Sequence, residues 1–176
     1  MANRQALRDL QNRLASRLQA ARNDGSSLAW LAAEAGSGRY LFPLSQAGEI
    51  FPSTPVQPVP YTASWFLGVA NLRGNLAGVA DLRSLVDPRV APRRAANLPA
   101  EASLLSFNAL LGVQCVLVID RLAGLRGGEA FSAVDARSED APTWFGAVYI
   151  DPQRQRWQEI DLQALAAHPS FLGIAA

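Results

Sequence analysis

The chain has 176 residues, 49% of them apolar and 18% charged, and a formal net charge of +1. This is the composition of a globular protein, and so small a net charge supplies no field to draw it to nucleic acid or an anionic membrane. All 16 basic residues are arginine, with a single histidine (His168) and a single cysteine (Cys115), which excludes a phosphate-cradling lysine, a Schiff-base lysine, a Ser-Lys dyad, a zinc site built on several Cys and His and an intrachain disulfide.

Leu7, Leu10, Leu14, Leu18 and Ala21 are spaced 3, 4, 4 and 3 apart, one apolar stripe of a helix. Asn3 is its candidate cap and Asn23-Asp24-Gly25 its stop, so residues 1–24 are read as an N-terminal amphipathic helix and residues 25–176 as the main domain. Arg4, Arg8, Asp9, Arg13 and Arg17 break any secretory pattern. No run approaches the roughly 18–20 apolar residues that span a bilayer. A cytoplasmic location is expected.

Leu28 to Glu34 and Arg39 to Leu44 read as two strands around Gly36-Ser37-Gly38, a hairpin. Pro52, Pro55, Pro58 and Pro60, spaced near three, favour an extended connector. Trp65 and Phe66 then open a repeated phrase. Gly68-Val69-Ala70-Asn71-Leu72-Arg73 recurs ten positions on as Gly78-Val79-Ala80-Asp81-Leu82-Arg83, and Gly74-Asn75 between them suits a tight turn. Each strand of this second hairpin is expected to end in a polar pair, Asn71/Arg73 and Asp81/Arg83, held outward while Leu72 and Leu82 point in.

Asp87-Pro88-Arg89 and Pro92-Arg93-Arg94 read as an exposed loop. Leu104 to Leu111 and Val113 to Ile119 read as a strand pair, with Val113, Cys115, Leu117 and Ile119 on one face, so that Cys115 is an inert core residue. Gly127 to Pro142 is a polar loop whose acidic spacing matches no calcium site. The glycine-rich Gly124 to Gly128 matches no phosphate-cradling motif. Trp144 to Ile150 and Arg156 to Ile160 are the last strands, followed by a short helix, Leu162 to Ala167, capped by Asp161 and stopped by Pro169. Many short strands, with helices chiefly at the two ends, make an all-β fold. No nucleophile, base and orienting group assemble around His168. The chain is read as non-enzymatic, with no catalytic, cofactor or metal residues, and as acting by surface recognition.

Asn71-Leu72-Arg73-Gly74 with Asp81-Leu82-Arg83 resembles the central signature of CheW-like domains, the adaptors of bacterial chemosensory arrays. Ala47-Gly48-Glu49-Ile50, before the proline-rich crossover, and Leu117-Val118-Ile119-Asp120 extend the resemblance, which runs from about Leu28 to Leu165. It implies two SH3-like five-stranded barrels packed side by side. It implies partner binding through Glu49, Asn71, Arg73, Gly74, Asp81 and Arg83, with Glu49 and Arg73 as a surface ion pair. The implied partners are the regulatory domain of a CheA-like histidine kinase and the cytoplasmic tip of a methyl-accepting chemoreceptor, at membrane receptor arrays. The chain departs from the family pattern at Gly78, where a proline is common, and at Ala47, where the apolar residue is usually larger. Trp144-Phe145-Gly146-Ala147, Arg156-Trp157-Gln158-Glu159-Ile160-Asp161-Leu162 and Phe171-Leu172-Gly173-Ile174 resemble the C-terminal end of PilI-type adaptors, which serve twitching motility by type IV pili. The alternatives are a flagellar chemotaxis module or a detached kinase regulatory domain.

Overall fold

The structure, a computed structural model, describes residues 29–175; the expected N-terminal helix lies outside them. β1 (Ala29–Ala35) and β2 (Gly38–Pro43) form the first hairpin, followed by β3 (Ala47–Pro52). The repeated phrase forms β4 (Phe66–Leu72) and β5 (Asn75–Asp81), and β5 passes directly into α1 (Leu82–Val86). β6 (Ser103–Phe107), β7 (Cys115–Ile119) and β8 (Arg121–Gly127) come after it. Next are β9 (Ala133–Asp135), β10 (Phe145–Ile150) and β11 (Arg156–Ile160), then α2 (Leu162–Ala166) and α3 (Pro169–Leu172).

The strands make two sheets, one in the order β8-β1-β2-β11-β10-β9 and one in the order β3-β6-β7-β5-β4. Pairings are antiparallel except β2 with β11 and β5 with β7. Each sheet wraps an apolar cluster of its own. Trp30, Ala32, Leu41 and Trp157 fill the first barrel; Leu72, Val79, Leu104, Val116 and Val118 fill the second. The opposite faces of the same strands meet in a third, larger cluster between the barrels. Leu31, Ala33 and Phe42 enter it from one side and Leu105, Leu117 and Ile119 from the other. Because side chains alternate along a strand, β1 and β7 are buried on both faces and read as unbroken apolar runs instead of alternating ones. Burial of a leucine or isoleucine side chain such as Leu117 or Ile119 contributes about 1.5–3 kcal/mol.

The chain end pins the two halves together. Asp161 caps α2 by accepting from the Ala164 amide at 2.9 Å, as expected. Pro169 does more than stop that helix: it opens α3, where a proline costs no intrahelical hydrogen bond. Phe171 of α3 stacks on Trp65 at 5.3 Å and lies 5.5 Å from Phe107.

Several expected elements shift. The Leu104 strand ends at Phe107, where Asn108 caps a 3-10 turn, Ala109–Leu111. β8 occupies the glycine-rich stretch around Gly124, where the sequence announces no strand. The Gly127–Pro142 loop contains β9, which adds a sixth strand to the first sheet. Three residues with exposed side chains carry too little apolar pattern to announce a strand.

Candidate partner-binding surface

The turn of the β4–β5 hairpin differs from the expected Gly74-Asn75. Leu72 pairs with Asn75, so the two central residues are Arg73 and Gly74, with φ of 51° and 90°. Two positive φ values define the turn type that matches the twist of a two-residue hairpin. Asn71 fixes it, its Oδ1 accepting from the Gly74 amide at 2.8 Å. Arg73 is therefore the turn tip, not a strand end, and holds a left-handed conformation that costs a non-glycine residue of order 1 kcal/mol.

From that tip Arg73 reaches back to β3. Its Nη1 is ion-paired with the Glu49 carboxylate, and its guanidinium lies 5.3 Å from the centre of the Phe51 ring. Glu49 and Phe51 are two apart, hence on one face of β3. β3 and β4 are the outer strands of the second sheet, so the pair bridges the seam between its two edges. The side chains remain 70% and 48% exposed. The arrangement stabilises little, about 0–1 kcal/mol for an exposed pair, but brings a cation, an anion and an aromatic ring together in one place. Exposed Leu76 lies on the same hairpin.

Asp81 and Arg83 are placed differently. Asp81 is fully buried. It caps α1, accepting from the Arg83 amide at 3.3 Å and from the Arg93 amide at 3.0 Å. The Arg83 guanidinium closes on the same carboxylate, and Arg93 pairs with both Asp81 and Asp120. Asp120 in turn accepts from the Gly36 amide at 2.7 Å. Gly36 has φ of 60°, and a side chain there would meet Arg83 Cδ at 2.9 Å. This clasp ties the ends of β5 and β7 in the second barrel to the β1–β2 turn of the first. Arg93, expected in a solvated loop, is only 9% exposed at its side chain. The expectation that Asp81 is displayed fails because the chain turns into a helix at Leu82, and a helix start needs a cap.

The remaining reactive groups are structural. Burial pushes the Cys115 thiol up to about 12, so it carries no thiolate at neutral pH. His168 caps α3, its Nδ1 accepting from the Ser170 amide at 3.3 Å. Among the described residues no three His, Cys, Asp or Glu are grouped to hold a metal ion.

Residues 29–170 match the CheW-like domain family. The chain belongs to that family. It is thereby a scaffold-type protein of chemosensory signalling. It is 26% identical to the protein PilI of Pseudomonas aeruginosa over 168 residues, covering 93% of this chain and 89% of that one. The fold superposes on a crystal structure of the scaffolding protein TtCheW from Thermoanaerobacter tengcongensis with a TM-score of 0.61 and 13% identity, over 77% of this chain and 89% of that one. No helix among the described residues is long and apolar enough to cross a membrane.

Of the six residues that the CheW-like signature singles out, Glu49, Asn71, Arg73 and Gly74 come together at the seam of the second barrel. Asp81 and Arg83 sit at the clasp instead. Phe51, Arg93 and Gly36 escape a reading of the sequence alone. Phe51 carries a signal, its two-residue spacing from Glu49; Arg93 carries none, because its partners are 12 and 27 residues away.

Proposed function

We propose that this chain is a non-enzymatic adaptor that couples a methyl-accepting chemoreceptor to a CheA-like histidine kinase, in a pathway that controls twitching by type IV pili. The observation that carries the reading is the Glu49–Arg73–Phe51 arrangement on a chain whose CheW-like domain spans residues 29–170. The pair is exposed and contributes little to stability, as suits residues kept for a partner. Asn71 and Gly74 set the turn that presents Arg73, and Asp81 and Arg83 hold the strand behind it. The similarity to PilI supports the twitching pathway over a flagellar one. Coupling demands contacts that differ between the signalling states of the receptor, not attachment alone. The protein would act in the cytoplasm, at membrane receptor arrays.

The test is reconstitution of receptor membranes, kinase and this chain, with labelled ATP. The reading predicts that kinase autophosphorylation responds to receptor state only when the chain is present. Phosphate transfer by the chain alone, or receptor control of the kinase without it, contradicts the reading.

A further inference from the structure

An open groove of about 560 Å³ runs over the outer face of β2, β11 and β10, beside the end of α1. Tyr40, Phe145 and Val148 give it an apolar floor, and Arg39, Arg154 and Arg156 line it. No carboxylate lines it. Arg39 shares Glu34 with Arg121, at 3.6 and 2.7 Å, and its Nε is buried without a hydrogen-bond partner. Arg156 meets Asp135 at 3.0 Å in an exposed pair. Arg154 has no ion pair among the described residues. Asp87, near enough to Tyr40 to raise its phenol, is committed to Arg89 at 2.9 and 3.0 Å. Around the groove five arginines, Arg39, Arg89, Arg121, Arg154 and Arg156, thus meet three carboxylates, Glu34, Asp87 and Asp135.

Arg154 is held there by construction. It sits in the β10–β11 turn with φ of 62°, a left-handed position that a non-glycine residue keeps only when its surroundings impose it. The buried Asp151 imposes it. One carboxylate oxygen accepts from the Gln153 and Gln155 amides at 3.0 and 2.8 Å, and the other from the Trp157 indole at 3.0 Å. Strain that presents a free guanidinium over an apolar floor is the pattern of a recognition site.

We propose that this groove binds an acidic segment of a partner protein, with carboxylates on Arg154 and Arg156 and an apolar side chain on Tyr40 and Phe145. Charge complementarity selects the occupant. The chain's own first 28 residues carry Arg4, Arg8, Arg13, Arg17 and Arg22 against Asp9 and Asp24, so they have the wrong sign. The Glu49–Arg73 seam lies on the other barrel, and this site stands independently of the function proposed for it.

The probe is a short synthetic peptide of alternating glutamate and leucine, titrated into the isotope-labelled full chain by NMR, with a glutamine-leucine peptide as control. The expected result is shifts centred on residues 37–40 and 154–158. Arg154→Glu and Arg156→Glu should each weaken binding about tenfold or more, while Arg94→Glu on the exposed loop leaves it unchanged. Thermal melting identifies any variant that fails to fold, and Arg154→Gln, which keeps the turn's length and polarity, then takes its place. The proposal is overturned if the glutamine peptide binds as well, if the shifts centre on residues 89–94, if neither variant weakens binding, or if the groove proves to be filled by a second copy that Arg154→Glu releases.

Discussion

Asp81 and Asp151 are both buried, and the donors around each decide how it fails. Asp81 accepts two backbone amides and two guanidiniums with no exposure to water. Asp81→Ala leaves the buried Arg93 with Asp120 alone, strips the Arg93 amide of its acceptor and uncaps α1, a loss of about 3 kcal/mol, or roughly 6–12 °C in Tm for a chain of this size. An unchanged Tm would show that the clasp is ornamental. Asp151 is subtler. Burial raises its carboxyl, but the Trp157 indole, the Gln155 and Gln153 amides and nearby Arg126 outweigh that and hold it below the usual aspartate value near 3.8. A folded pKa below the unfolded one gives stability that is present above the unfolded value and lost as pH falls through the folded one. Wild type should therefore lose Tm steadily below about pH 4, and Asp151→Asn should start lower at neutral pH and fall less in acid. Parallel curves for the two proteins would remove Asp151 from the acid response.

At the scale of elements, a phrase written twice in the sequence ends in two different ways. The first copy ends in a turn that lifts Arg73 into water; the second ends in a helix cap that buries Asp81. The two copies read alike because the repeated pattern stops at Arg73 and Arg83. The residues that decide between turn and helix lie beyond it, a glycine in one case and Ser84-Leu85-Val86 in the other. The strands themselves were legible where apolar runs were dense, as in β1 and β7, or where apolar and polar residues interleave over a strand's length, as in β11. They were hidden where one face is wet or the strand short, as in β8 and β9. The site was legible at Glu49 and Arg73 because signature residues carry it, and illegible at Arg93 because its partners are distant in sequence. The loop expectation changes with that finding. Trypsin should cut first at Arg89, Arg94 or Arg137 and spare Arg93, which is folded against Asp81 and Asp120. Early cleavage at Arg93 or Arg83 would show that the clasp opens readily.

In the whole molecule the apolar layer between the barrels draws residues from both sheets and from α2 and α3. The barrels should therefore unfold together, in one calorimetric transition with equal calorimetric and van't Hoff enthalpies; two transitions would mean that the layer is weaker than its burial implies. The proposed coupling works through partner contacts, so the central claim rests on the exposed seam. The decisive measurement is the affinity of Arg73→Glu for the kinase regulatory domain and the receptor tip, taken beside its melting temperature. An exposed ion pair contributes about 0–1 kcal/mol, so the variant should melt within a few degrees of wild type. As an interface arginine it should lose roughly 2 kcal/mol or more of binding, over tenfold in Kd. Adding Glu49→Arg should restore the local pair but not the affinity. Wild-type binding to both partners by the folded Arg73→Glu protein would contradict the account.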